Sequence, residues 1–372
     1  VSTPPSIELA AKLTSLFDPS YNLTRAWFTC GGSESNETNI KMARLYWALK
    51  GKSDKHKILS RRYSYHGMGL ATTAATGIFP FHFNIDPLPE GFVKVAAPYC
   101  YQCEFDLTYP NCDFECVKDI EENIEEEGPE TIAAFIAEPI IGSGGVIPPP
   151  DEYFPRLREI CDRYEILLIL DEVITGVGRT GAMFAHEHWG GVRPDMLSLA
   201  KGISSGHIPL GACVMRGDMY DAIGEQQDER LPVMHGFTYM NHPVSCAAGL
   251  ANIEVIEEEG LVGKAAENGA YLLESLQALT KYDSVGNVRG MGMLAAIELV
   301  ADKESKMPIE PENAAPEMLV DLCWEKGVFI RSSTMETACI APALSMDRPT
   351  IDRIVEVIDA SIPEMEKKLL KK

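Results

Sequence analysis

Five apolar residues, 166–170, run without a polar break and then meet two carboxylates, Asp171 and Glu172. A run this short, bounded by polar residues, predicts a strand buried on both faces. The pattern recurs in TIAAFIAEP, where a strand over 132–137 ends in Glu138, and at 195–200, where a strand delivers Lys201. Residues 27–32, WFTCGG, read as a strand entering a turn, and 57–60 as a short strand leading into YSYHGMG. Between these runs the periodicity is helical: 6–17, 33–49, 119–128 and 153–164. Glu34 and Glu37 fall in the first turns of the second helix, where the dipole favours acids, and the acidic face of the third is most simply solvated. Alternation of this kind predicts an α/β architecture with a mostly parallel sheet. Near 284 the texture changes, and VRGMGMLAAIELV (288–300) opens a smaller unit of strands and helices. The expected division is a large domain, 1–280, and a small C-terminal α/β domain, 281–372, whose last helix ends in KKLLKK.

Three strands ending in Glu138, Asp171 and Lys201 predict a site, because ligands of open parallel sheets sit beyond the carboxyl ends of the strands. A buried carboxylate there needs a cation or a donor opposite it. A lysine in an apolar wall loses its proton readily and can form a Schiff base. The plainer alternative is a structural ion pair between Asp171 and Lys201. In GGSESNE, the residues Gly31, Gly32 and Ser33 lie where a strand becomes a helix; free N–H groups and a hydroxyl make a phosphate seat, or an ordinary turn with Ser33 as N-cap. Tyr65 could lie on a flat ring, and His66 could serve the site or be a satisfied loop histidine. Gly176, Gly178 and Gly181 match G-x-G-x-x-G, but DEVIT separates them from their strand and no helix start follows, which argues against a dinucleotide loop. The HEH of His186–His188 reads as a loop rim.

Composition narrows the classes. The chain has 372 residues, 45% of them hydrophobic, enough for a large core and more than one domain. Its formal net charge of −22 opposes a nucleic-acid partner, and no apolar run approaches the ~18 residues that span a bilayer. The start, VSTPPSIELAAKL, has neither part of a secretory signal and no initiator Met; it reads as mid-domain sequence, so an upstream N-terminal segment is expected to be missing. Ten cysteines in a chain of this length suit a cytoplasmic protein and not a disulfide scaffold. Four of them, Cys100, Cys103, Cys112 and Cys116, are spaced C-x2-C and C-x3-C with eight residues between the pairs. A metal site, plain reduced thiols and a redox disulfide all remain open there.

A phosphate seat, an aromatic plate, an acid and a lysine together suit pyridoxal phosphate. The acid would keep the ring nitrogen protonated, which explains why Asp171 leaves the end of a buried strand. At this point AFIAEPIIGSGGVIPPPDEYF, LLILDEVITGVGRTGAMF and PDMLSLAKGISSGHIPLGA resemble the class III, pyridoxal-phosphate-dependent aminotransferases of fold type I, and the resemblance covers essentially the whole chain. It implies a seven-stranded sheet and a homodimer with shared active sites, with a tetramer possible. It makes Lys201 the Schiff-base lysine and Asp171 the partner of the ring nitrogen. Gly32 and Ser33 would hold the phosphate, Tyr65 and Val173 would face the two sides of the ring, and Glu138 would orient the cofactor or His66. Thr238, in HGFTYMNHP, would reach the phosphate of the other subunit. FTY before HP is closest to the ω-amino acid, taurine and amine types that use pyruvate, and Arg331 falls where these carry an arginine for a substrate carboxylate, the alternative being a structural salt bridge. Three departures stand out: Met240 and Asn241 before His242, Gly31 in place of Ser or Thr, and SSTMET after Arg331. The expected activity is ping-pong transfer of an amino group from an ω-amino acid, taurine-like compound or amine to a keto acid. The competing readings are racemisation or decarboxylation on the same fold and, through GVGRTG, an NAD-dependent dehydrogenase.

Overall fold

The computed structural model describes residues 2–190, 192–225, 233–334 and 336–369. The last three residues of KKLLKK and Met335 of SSTMET lie outside the described residues. Seven strands, β1 (Leu23–Thr29), β2 (Lys57–Arg61), β3 (Phe92–Val95), β4 (Ile132–Ala137), β5 (Leu167–Asp171), β6 (Met196–Leu199) and β7 (Gly211–Arg216), form one sheet in the order β1-β7-β6-β5-β4-β2-β3. Only β7 runs against the rest, pairing antiparallel with both β6 and β1.

The continuous apolar runs have a simple cause. Alternate residues of each central strand belong to different cores. Phe135, Ala137, Leu168 and Leu170 pack with the helices Glu115–Glu127 and Tyr153–Arg163. Ala134, Ile136, Leu167 and Ile169 pack on the other face with Ile40, Ala43 and Trp47 of the helix Gly32–Leu49. Both faces are covered, so no position along β4 or β5 is polar until the strand ends. The functional edge is where the carboxyl ends of β4, β5 and β6 emerge.

A second, five-stranded antiparallel sheet comes from β8 (Val285–Met291), β9 (Leu294–Asp302), β10 (Met307–Pro308), β11 (Arg331–Thr334) and β12 (Thr337–Ile340). The helices Leu261–Gln277, Ala315–Glu325 and Arg348–Leu369 bury their apolar stripes against it. The fold class expected from the sequence, α/β with a mainly parallel seven-stranded sheet and a smaller unit, is the one observed. Among the described residues, no helix is long and apolar enough to cross a membrane.

Candidate active site

Two cavities meet at Lys201. The first, about 440 Å³, is lined by Gly32, Ser33, Asn36, Tyr65, His66, Glu138, Asp171, Val173 and Lys201, among others. The second, about 810 Å³, lies between the two sheets and is lined by Lys201, Ser143, Arg179, His207, Asn252, Phe329, Arg331 and neighbours. Lys201 is exposed by surface area because it opens onto both voids, yet the surrounding walls still desolvate its amine. It follows β6 through Ala200 and has a left-handed φ of 45°, a conformation that costs a non-glycine residue about 1 kcal/mol. Burial holds its amine below the usual lysine range; Asp171 and Glu138 oppose that shift, and Arg331 adds to it.

Asp171, the last residue of β5, is 3% exposed. Its Oδ2 accepts from Asn36 Nδ2 at 2.6 Å and from His66 Nδ1 at 2.8 Å, and its Oδ1 accepts from the Val173 backbone N–H at 3.1 Å. Its partner among the described ion pairs is His66 and not Lys201, so a simple Asp171–Lys201 bridge is not what these residues form. Burial pushes the His66 imidazole below its usual range, only partly offset by Asp171. A neutral ring donating from Nδ1 leaves Nε2 as an acceptor, and Nε2 is buried without a partner. Asn36 also donates to the His66 carbonyl at 2.8 Å, which ties the first turns of the helix Gly32–Leu49 to the acid. Nothing in the local sequence distinguishes Asn36 from an ordinary helical asparagine; only the tertiary contact does.

Among the described hydrogen bonds, the Glu138 carboxylate makes none to the His66 ring. Oε1 accepts from the Tyr65 N–H at 2.9 Å and Oε2 from the Gly142 N–H at 2.8 Å, so it fixes two loops of the cavity wall. Burial, reinforced by Asp171, raises its pKa well above the ordinary carboxylate value. Tyr65 stands on the cavity wall beside Phe81, the ring centroids 5.1 Å apart. Across the cavity, the helix Gly32–Leu49 presents its first-turn N–H groups, which have no carbonyl within the helix to bind. At Gly32 a Cβ would lie 2.8 Å from Val173, so only glycine lets the seat approach this wall. Gly31 is extended with open space at its Cβ position; the serine or threonine common there would fit.

Glu172 turns the other way. It is fully buried and accepts from Thr175 Oγ1, the Ala185 and His186 N–H groups and His186 Nδ1, at 2.8–3.0 Å. The adjacent acids therefore divide the work: one faces the cavity, the other closes the loop behind it. His186 is 2% exposed and stacked near Phe17 and Phe184, so the loop-rim reading fails for it. We expect Glu172→Ala to lose about 3 kcal/mol of stability, because it orphans four buried donors at once. Urea unfolding measures this, and a loss below about 1 kcal/mol would mean water replaces the carboxylate.

GVGRTG is a packing loop. At Gly181 φ is +87°, and a Cβ would meet Ala266 Cα at 2.8 Å. Arg179 donates to the carbonyls of Met293, at 2.8 Å, and Pro342, so the motif clamps the loop after β5 to the second sheet. Thr238 is exposed and lines neither cavity. Asn241 pins its turn to β1, its N–H and Oδ1 both bonded to the Phe28 backbone. Arg331 opens β11, and among the described residues no carboxylate pairs with it, so the structural salt bridge is not observed. Among the described residues, no three His, Cys, Asp or Glu side chains are grouped so that they could hold a metal ion, the four cysteines of 100–116 included.

The Aminotransferase class-III family model matches residues 1–362. The chain belongs to the class III aminotransferases. It is 36% identical over 359 residues to a diaminobutyrate–2-oxoglutarate transaminase of Halomonas elongata, covering 95% of this chain and 76% of that protein. It is 38% identical over 354 residues to a putrescine–pyruvate aminotransferase of Pseudomonas aeruginosa, covering 95% and 75%. Among solved structures it matches an (S)-enantioselective omega-transaminase from Thermomicrobium roseum with TM-score 0.93 and 43% identity, covering 98% of this chain and 80% of that one. An amine transaminase from an uncultivated Pseudomonas species, in its PLP-bound (internal aldimine) form, matches with TM-score 0.94 and 40% identity, covering 98% and 82%. This class III aminotransferase is therefore a pyridoxal-phosphate-dependent enzyme of fold type I, acting on an amino donor and a keto acid. Its residues fit that cofactor: an anion seat at a helix start, a carboxylate held by three buried donors, and a lysine on the same cavity wall.

Proposed function

We propose that the enzyme transfers an amino group from a primary amine or ω-amino acid to a short keto acid such as pyruvate, in a ping-pong cycle centred on Lys201. The observation that carries this reading is the placing of Lys201 on the wall shared by two cavities, one with the phosphate seat and Asp171, the other with Arg331. When bound, pyridoxal phosphate supplies an electrophilic aldehyde and an electron-accepting ring. Gly32, Ser33 and the helix start would hold its phosphate, Tyr65 and Val173 its two faces, and Asp171 its ring nitrogen. Lys201 Nζ, kept short of protons by burial, takes the proton from the amine-bearing carbon of the donor and gives one to the keto carbon of the acceptor. His66 and Asn36 hold the Asp171 carboxylate in place meanwhile.

Arg331 would receive the carboxylate of the acceptor. No aspartate or glutamate is among the described residues lining the larger cavity, although the chain has 55 acidic residues. That absence of negative charge supports an anionic substrate. We expect Arg331→Ala to raise KM for pyruvate about 10- to 100-fold, the cost of a lost charge-assisted contact, with little change toward a neutral amine. Initial rates against pyruvate concentration decide, and an unchanged KM removes Arg331 from the site.

The same reading includes a homodimer. Met68, Leu70, Phe79, Phe83, Tyr239 and Val244 are large, apolar and exposed, which supports burial against a second copy. Thr238 then belongs to the neighbouring copy's phosphate seat. It also includes a division into two domains near residue 280 and a cytoplasmic setting, the latter supported by ten cysteines without a disulfide. The test combines two steps: a visible spectrum with borohydride reduction and peptide mapping, then amine screens against pyruvate and 2-oxoglutarate. A reduced adduct on Lys201 and keto-acid-dependent amine consumption support the reading. Amine conversion independent of a keto acid would favour racemase or decarboxylase chemistry instead.

A further inference from the structure

The segment that carries Cys100, Cys103, Cys112 and Cys116 is not used by the chemistry above. All four thiols line one small cavity of about 20 Å³, walled otherwise by Tyr99, Phe105, Phe114 and neighbours. Such a void holds about one water. It shares no lining residue with either cavity at Lys201. None of the four is in a disulfide; Cys100 is exposed and the others are half-buried. Among the described residues these side chains do not group as a metal cage. Two of the four are separated from the other pair by eight residues of chain, yet folding brings both pairs to the same void.

We propose that Cys100 and Cys112 form a reversible dithiol–disulfide site. Cys100 is the exposed member, so an oxidant meets it first. Cys112 lines the same void from the other close pair, and of the remaining thiols its charge bears most on Cys100, which supports it as the resolving partner. The oxidant is a small-molecule disulfide. The Cys100 thiolate attacks one of its sulfurs and expels one thiolate, leaving a mixed disulfide. The Cys112 thiolate then attacks the Cys100 sulfur and expels the second. Two protein thiols lose two hydrogens and two electrons, and the small disulfide becomes two thiols.

The environment sets the rate. No Lys, Arg or His lines the cavity; although Cys100 is exposed at the surface, desolvation of its thiol against this wall, together with Cys112 and Cys103, pushes it up to about 11. The thiolate is scarce at neutral pH, so exchange is slow and accelerates about tenfold per pH unit below that value. The bond has a mechanical consequence. Tyr99, next to Cys100, donates to Glu298, which also receives Gln102 Nε2 at 3.2 Å and pairs with Arg289. Arg289 in turn holds the Gly145 carbonyl at 2.6 Å. Closing the disulfide stiffens the loop that joins the two sheets, and Tm should rise.

The test treats the full-length holoenzyme with oxidised glutathione at several pH values. Thiols are counted in denaturant, intact mass is measured, and peptides are mapped without reduction. No Lys or Arg lies between Lys94 and Lys118, so cleavage at Glu104, Asp106 and Asp113 isolates Cys112 and Cys116, and fragmentation of the peptide that carries both Cys100 and Cys103 assigns the bond between those two. The expected result is loss of two of the ten thiols, a mass lower by two hydrogens, a Cys100–Cys112 cross-link and a higher Tm, all reversed by dithiothreitol. Cys112→Ser should stop the reaction with one glutathione on Cys100 while leaving amine turnover unchanged. Retention of all ten thiols, a cross-link between another pair, a lasting glutathione adduct on the unsubstituted protein, or zinc bound at one per chain would each overturn the proposal.

Discussion

Lys201→Ala is expected to lose multiple-turnover activity, by about 10⁴-fold or more. The residue combines features that no neighbour duplicates: an amine at the meeting of two cavities, a proton affinity lowered by burial, and a left-handed backbone that aims it there. Alanine at this position removes the amine and leaves the walls. Lys201→Arg should fail almost as completely, since guanidinium keeps its proton at any working pH and cannot exchange it with a carbon. Keto-acid-dependent amine consumption over many turnovers measures the loss, with circular dichroism as the folding control. Ordinary turnover in the folded alanine variant would falsify the central assignment.

Asp171→Asn is the second large effect. The asparagine is isosteric, so β5 and the loop behind it should stay folded, and Oδ1 can still accept one hydrogen bond. What disappears is the charge. A buried cation that loses its counter-ion is destabilised by about 3–5 kcal/mol, which converts to a fall in kcat/KM of roughly 10²- to 10⁴-fold. The asparagine amide would also set an N–H against Asn36 Nδ2 or His66 Nδ1, both of which donate to the present carboxylate at 2.6–2.8 Å. Cofactor absorbance against pH should therefore shift along with the rate. A variant with wild-type kcat/KM and an unshifted profile would show that Asp171 is structural, like its neighbour Glu172.

These two residues were legible in the chain because each follows an apolar run. A carboxylate or a lysine at the end of a strand buried on both faces needs a reason, and the reason could be read from burial alone. Gly32 and Ser33 were legible on the same terms, as a turn between strand and helix. Asn36 was not, because an asparagine in the second turn of a helix is ordinary until a strand 135 residues away places an aspartate against it. His186 reads as a loop rim for a related reason: its partner, Glu172, stands beside Asp171 in the chain, and the local sequence cannot say which way each acid turns.

The glycines of GVGRTG show the same limit from the other side. Their spacing suggests a nucleotide loop, and only the intervening DEVIT and the missing helix start argue against it. Their actual constraint is contact with Ala266 and a clamp on the second sheet, both far along the chain. The four cysteines gave two close pairs in sequence; that the pairs share one void is a property of the folded loop.

By itself, then, the order of residues determined the alternation of strands and helices, the buried strands, and the chemical types at their ends, because burial and periodicity act over a few neighbouring residues. The reversed direction of β7, the split of the Asp171–Glu172 pair and the meeting of two cavities at Lys201 were decided only by tertiary structure. Each depends on which distant surface closes over a residue, and that free energy belongs to the packed pair of elements and to neither one alone.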